Sequence, residues 1–308
     1  MPTAFLDHPG PLAFAHRGGA AHAPENSWQA FEHAVGLGYE YIETDAQATA
    51  DGVLVAFHDR TLDRVTGQPG RVCRLTIKDL AGVRVAGAEP IPVLEDVLAA
   101  WPDVRFNIDL KDTPAVAPLA GVLRRTNAWD RVCVVSFSAS RLRAARRALD
   151  RPVCMAASPL GTAMVRLGGP LPSAGPGGPH RYGFKRRSVA GPMAAAARRP
   201  GVPGAATGPM AAAARRPGGT AGRPPGPLAE RLAGTGVRCV QVPVPVATPS
   251  FILRAHRLGL QVHVWTVNDR PTMEALLDRG ADGIMTDDTV ALRDVLASRG
   301  QWHPRVAG

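Results

Sequence analysis

Glu43 and Asp45 stand two residues apart in the run Tyr41–Ala46, and Asn107, Asp109 and Lys111 are spaced the same way in Arg105–Lys111. In a β-strand that spacing puts each set on one face. Ile42 and Thr44, and Phe106, Ile108 and Leu110, take the opposite faces. Any one of these acids alone reads as a surface or salt-bridged carboxylate. Three at the ends of adjacent strands form a hard oxygen donor set suited to Mg²⁺ or Ca²⁺. His16 closes the run Leu12–His16, and His58 closes Val53–His58 with Asp59 directly after it. A lone histidine is more often structural, but an imidazole at a strand end beside such a site can give or take a proton near neutral pH. Arg17 and Lys111 add positive charge, a fork and a point charge, for phosphate oxygens. A metal, two cations and two histidines together suit phosphoryl transfer to water.

Those residues must be held at one end of a common scaffold. Eight short strand-like runs occur at 12–16, 41–46, 105–110, 132–137, 153–157, 238–242, 261–267 and 282–286. Helical patterns fall between most of them. Asn26-Ser27 offers an N-cap before Trp28, Phe31 and Val35. Stretches 93–100, 115–125, 140–149, 250–258 and 272–279 read as further helices, and Gly36, Gly38, Gly259 and Gly280 sit where helices should stop. This alternation predicts a parallel α/β fold, and eight strands favour a closed (β/α)8 TIM barrel over an open sheet. No GxGxxG follows the first strand, which disfavours a dinucleotide fold. Residues 51–92 form an excursion after the second strand, read as a small inserted subdomain with a strand of its own at 53–57. The acidic faces then point into the barrel toward its C-terminal mouth, where apolar side chains are the norm.

The 308 residues fit one barrel domain plus an insertion. The net charge of +10 usually prompts a nucleic-acid reading. Here residues 161–236 hold eleven Lys/Arg and one acid, Glu230, and the remainder is neutral. The same segment repeats residues 191–201 identically at 208–218, two copies where a solenoid needs at least three. With few large apolar residues, 169–227 reads as a low-complexity, disordered insertion between the fifth and sixth strands. No apolar run is long enough to span a bilayer. Cys73, Cys133, Cys154 and Cys239 are widely separated with no CxxC pair, which argues against a disulfide scaffold and a zinc cluster. The N-terminus lacks the basic and apolar regions of a signal peptide, so a cytoplasmic location is expected.

His16-Arg17-Gly18-Gly19, Pro24-Glu25-Asn26-Ser27, Glu43-Thr44-Asp45, Asp51-Gly52 with Val55, and His58-Asp59 resemble the glycerophosphodiester phosphodiesterase family. So do Asp109-Leu110-Lys111, Val264-Trp265-Thr266-Val267-Asn268 and Gly280–Asp287. Together they run from the first strand to the eighth, leaving out 169–227. The resemblance implies a barrel that hydrolyses glycerophosphodiesters to sn-glycerol 3-phosphate and an alcohol. It implies a divalent metal, Mg²⁺ or Ca²⁺, on Glu43, Asp45 and Asp109. His16 and His58 become the acid/base pair, with the individual roles open. Arg17 and Lys111 hold the phosphate, Trp265 lines the glycerol end, and Glu25 and Asn26 support the first loop. Asp109 stands where the family commonly has Glu, one methylene longer, which bears on the ion preferred.

Two other readings stand beside this one. Lysophospholipase D-like hydrolysis would use the same residues on a lysolipid. A weakly active barrel whose basic insertion binds RNA or an anionic membrane is of a different class. Against RNA, only Tyr182 and Phe184 supply aromatics for stacking in 169–227. The expected partner is a small phosphodiester, with no nucleic acid.

Overall fold

The computed structural model describes residues 4–167 and 235–305; the insertion read at 169–227 lies outside the described residues. The strands are β1 (Leu12–Ala15), β2 (Tyr41–Ala48), β3 (Leu54–Ala56), β4 (Arg84–Val85), β5 (Glu89–Pro90), β6 (Arg105–Leu110), β7 (Val132–Val135), β8 (Cys154–Ala156), β9 (Val237–Pro243), β10 (Gln261–Trp265) and β11 (Gly283–Thr286). Eight of them, β1, β2 and β6 to β11, run parallel, and the β1–β2 pairing closes the ring. This is the (β/α)8 barrel the alternation predicts, and all eight strand runs are present. The helices are α1 (Trp28–Gly36), α2 (Asp63–Thr66), α3 (Ile77–Leu80), α4 (Leu94–Ala100), α5 (Val116–Arg125), α6 (Ala139–Ala148), α7 (Pro159–Leu167), α8 (Pro249–Arg257), α9 (Arg270–Asp278) and α10 (Thr289–Ser298). Helices α2, α3, α7 and α10 are additions to the pattern read from sequence.

Strand alternation sorts the core into two layers. Ile42, Phe106, Ile108, Val132, Val134, Val240, Val262 and Ile284 face outward and pack on helix residues such as Leu98, Leu119, Ile252, Leu276 and Leu292. Inside the ring, Leu12, Phe14, Tyr41, Cys133, Cys154, Cys239 and Met285 form a second cluster. Phe5 and Leu6, in a short 3-10 turn, plug its lower end, and the Tyr41 hydroxyl donates to the Phe5 carbonyl at 2.9 Å. Each fully buried side chain of this size contributes about 1.5–3 kcal/mol. The interior is packed closely enough that a Cβ on Gly283 would meet His263 and Phe14 at 3.0 Å.

The polar residues come at the other end. Along β2 the inward series runs Tyr41, Glu43, Asp45, Gln47, and along β6 it runs Asn107, Asp109. Asp45 and Asp109 are direct partners in the β2–β6 register. Residues 51–92 leave β2 at the mouth, return antiparallel through β3, and gather Val55, Phe57, Leu62, Val72, Leu80 and Val85 into a small core of their own. Helix α7 follows β8 and leads back to the opposite face. The next described strand, β9, begins at Val237.

Among the described residues, His263 is the one histidine buried inside the barrel below the mouth. Its Nε2 lies 3.1 Å from Gln261 Oε1, while Nδ1 has no hydrogen-bond partner. Burial pushes its pKa down from 6.5 to about 4. Between those values the unfolded chain binds a proton that the native chain refuses, so stability is lost as pH falls through this window. The full loss is on the order of 3 kcal/mol. Urea unfolding of wild type and His263→Gln between neutral pH and about pH 4 should show a flatter pH slope in the variant. Equal slopes would remove His263 as the cause.

Candidate active site

The first loop owes its shape to a left-handed turn. Arg17 (φ 50°), Gly18 (85°) and Gly19 (100°) all have positive φ. A Cβ at Gly18 would come within 2.8 Å of Ala30 and Phe31, so only glycine permits this approach to α1. The turn aims the Arg17 backbone N–H at Glu43 Oε2, 3.0 Å away. Asn26 is also left-handed (φ 53°) and buried. Its amide donates to Asp45 Oδ2 at 2.8 Å, and its Oδ1 accepts from Thr44 Oγ1 at 2.7 Å. Ser27, not Asn26, caps α1, accepting from Ala30 N at 3.1 Å.

The charges are tightly interlocked. The Lys111 ammonium bridges Asp45 Oδ1 at 2.8 Å and Asp109 Oδ2 at 2.7 Å. Arg17 Nε lies 3.4 Å from Asp45 Oδ2, and Arg17 Nη1 donates to Glu25 Oε1 at 2.8 Å. Burial, reinforced by the neighbouring Asp45 charge, pushes Glu43 up to about 7. Burial also opposes ionisation of Asp45, but Lys111 and Arg17 outweigh it and hold that carboxyl low. Asp109 Oδ1 is buried without a hydrogen-bond partner. A carboxylate held near neutrality and an orphaned carboxylate oxygen mark a site with more acid than its cations balance. That is the charge environment a divalent ion fits, and all the donors are oxygens.

Each histidine is held by an acid. His16 Nδ1 is 2.7 Å from Asp287 Oδ1, and His16 Nε2 is 3.8 Å from Glu43 Oε2. Burial disfavours the imidazolium, but Glu43 and Asp287 prevail and raise its pKa. His58 Nδ1 is 2.6 Å from Asp59 Oδ1. Gln47 anchors that loop by donating to the carbonyls of Phe57, at 3.0 Å, and of Asp59. Both rings are thus fixed through Nδ1, with Nε2 the ring nitrogen outside that contact.

All ten residues singled out in the sequence lie around this one mouth. Three more belong with them. Asp287 orients His16 and is itself held by Asn268 Nδ2 at 2.9 Å. Arg64, on α2, pairs with Asp59 and with both oxygens of Glu25, at 2.7 and 2.8 Å, linking the two histidine loops. Phe137 stands edge-on to Trp265, with centroids 5.7 Å apart, and is 62% exposed. The Asp287→Asn variant should turn over more slowly, on the order of 10–100-fold, as when the group orienting a working imidazole is removed. Without that negative charge the His16 pKa falls, so the limb it sets in the pH–rate profile should move to lower pH. An unmoved limb would leave Asp287 with a structural role only.

The sequence profile of the Glycerophosphoryl diester phosphodiesterase family matches residues 16–158 and 225–291. A Mycobacterium tuberculosis protein named "Probable glycerophosphodiester phosphodiesterase 2" is 36% identical over 304 residues, spanning 97% of this chain and 95% of that protein. Among solved structures, an Oleispira antarctica phosphodiesterase in complex with the product sn-glycerol-3-phosphate gives a TM-score of 0.66 at 18% identity, covering 94% of this chain and 97% of that one. A glycerophosphodiester phosphodiesterase from Agrobacterium tumefaciens gives 0.65 at 17% identity, covering 93% and 99%. At such identities these two likenesses concern the fold.

Proposed function

Since the chain belongs to the glycerophosphoryl diester phosphodiesterase family, we propose that it hydrolyses glycerophosphodiesters to sn-glycerol 3-phosphate and an alcohol. The observation that carries this is the pair of carboxylate-oriented histidines, His16 and His58, beside the buried acids Glu43, Asp45 and Asp109. The three carboxylates would hold a divalent ion, Mg²⁺ or Ca²⁺. When bound, it supplies positive charge to neutralise the phosphodiester in the transition state. Arg17 and Lys111 bind the non-bridging oxygens. One histidine removes the proton from the attacking oxygen, of water or of the glycerol 2-hydroxyl, and the other protonates the leaving alkoxide. Glu25 and Asn26 hold Arg17 and Asp45 in place, and Trp265 lines the glycerol side.

Exposed Phe137 beside Trp265 favours a lysophospholipid as a second substrate, since a bare ring at the mouth offers an acyl chain a place to lie. No helix among the described residues is long and apolar enough to cross a membrane. None of the four cysteines forms a disulfide, which suits the reducing cytoplasm proposed for the protein. The single barrel domain with inserts at 51–92 and 169–227 is retained as the proposed organisation.

The test is release of glycerol 3-phosphate from glycerophosphocholine with Mg²⁺, with Ca²⁺ and with chelator. Metal-dependent release is expected. Release only from lysophosphatidylcholine would select the second reading, and none from either substrate would overturn both.

A further inference from the structure

The cysteines are far apart in sequence, yet three of them converge. Cys133 on β7 and Cys154 on β8 are direct register partners, and Cys239 follows on β9 beside Ala156. All three point into the barrel and are buried. Their sulfurs lie within 4.8 Å of one another. The expectation drawn from their spacing, that no zinc cluster forms, considered neighbours in sequence; parallel strands in register bring together residues that are 21 and 85 positions apart.

We propose that Cys133, Cys154 and Cys239 form a second metal site, selective for a soft, thiophilic cation of the Zn²⁺ or Cd²⁺ class. A centre equidistant from three sulfurs so placed is within about 2.8 Å of each, a few tenths of an ångström beyond the ~2.3 Å zinc–thiolate bond. Small χ1 adjustments close that gap. The ligands come from three strands already fixed by the barrel, so little ordering is needed on binding. Thiolates select soft ions, and carboxylates select Mg²⁺ and Ca²⁺, so the two sites would not compete. Gln241 lies one inward position nearer the mouth than Cys239, and its amide pairs with Asn107 across β7 and β8 at 2.7 Å. That amide pair stands toward the mouth from Cys239, where the carboxylates are.

Burial in an apolar shell raises the Cys133 thiol well above its ordinary pKa, which favours its neutral form until a metal displaces the proton. A divalent ion that displaces two of the three protons leaves a neutral site, the form that costs least to bury. The site would stitch three adjacent strands together where the interior carries cysteines rather than bulky side chains.

The experiment grows the full-length protein in medium supplemented with Zn²⁺ or Cd²⁺. After desalting, metal content is measured together with the thiolate-to-cadmium charge-transfer absorption, which carboxylates do not give. One equivalent of metal and a charge-transfer band are expected, with Cys73→Ser unchanged and excess Mg²⁺ without effect. Cys133→Ser, Cys154→Ser and Cys239→Ser should each retain at least tenfold less metal. A folded wild type without the band would overturn the proposal whatever the variants do. So would a band that survives in the Cys133→Ser/Cys239→Ser double variant.

Discussion

The His16→Gln protein should fold normally and turn over about 10²–10⁴-fold more slowly, the range for losing a positioned proton-transfer group. Glutamine keeps much of the side-chain volume and can still donate toward Asp287, so the 2.7 Å contact that braces the ring has a neutral substitute. What it cannot do is take a proton and return it. His58→Gln should cost a comparable factor, because its ring is braced in the same way by Asp59. The two variants separate when the leaving group changes. An ester of an acidic phenol needs no proton on departure. The variant lacking the general acid should regain most of its rate on such a substrate, and the variant lacking the base should not. That contrast assigns the roles that sequence and geometry leave open. Turnover of His16→Gln within a factor of two or three of wild type would sink the mechanism.

The second large effect is expected at Asp45. Its carboxylate is 1% exposed and meets Lys111, Arg17 and the Asn26 amide. Asp45→Asn removes the negative charge but leaves Lys111 and Arg17 in place, two cations around a neutral amide. Breaking a buried charge pair from one side costs about 3–5 kcal/mol. Urea unfolding should show a loss of that order, and activity should fall by about 10³-fold or more, since positioning and charge neutralisation fail together. Adding Lys111→Met to the variant removes one stranded ammonium. It should recover part of the stability and none of the activity. An Asp45→Asn protein as stable as wild type would show that the network is not what holds the mouth together.

How much of this was readable beforehand follows from where the signals lie. The barrel strands were legible because the alternation of apolar and polar residues is strong, and Glu43, Asp45 and Asp109 stood out as charges on faces that should be apolar. His16 and His58 were legible as polar endings to apolar runs. Asp287 was harder. An acid just after a strand reads as a loop residue or a cap, and its neighbour Asp288 does cap α10, accepting from Ala291 N at 2.9 Å. The Asp288-Thr289 step is therefore a helix start that the sequence does carry. Arg64 lies on a four-residue helix in the excursion, where no periodicity marks one arginine among several. Phe137 closes the strand-like run at 132–137, where it reads as one more apolar strand residue, but β7 stops at Val135 and leaves it in the mouth loop. Helix α7 begins with Pro159 and carries Gly161 near its start, and the glycine lowers its helical signal. The cysteine trio needs the strand register, which no spacing rule over one chain supplies.

Between the end of α7 at Leu167 and the start of β9 at Val237 lies the longest interval that separates two consecutive barrel strands. Several loops at the mouth are committed: those after β1, β3 and β11 carry His16, His58 and Asp287, and a change of length in any of them moves that group. An 11-residue block stands in two copies, at 191–201 and 208–218, and His16, His58 and the three acids all lie outside it. Duplication and site thus fall on separate stretches of the chain, so copying the block lengthened the sequence without altering any residue that lines the mouth.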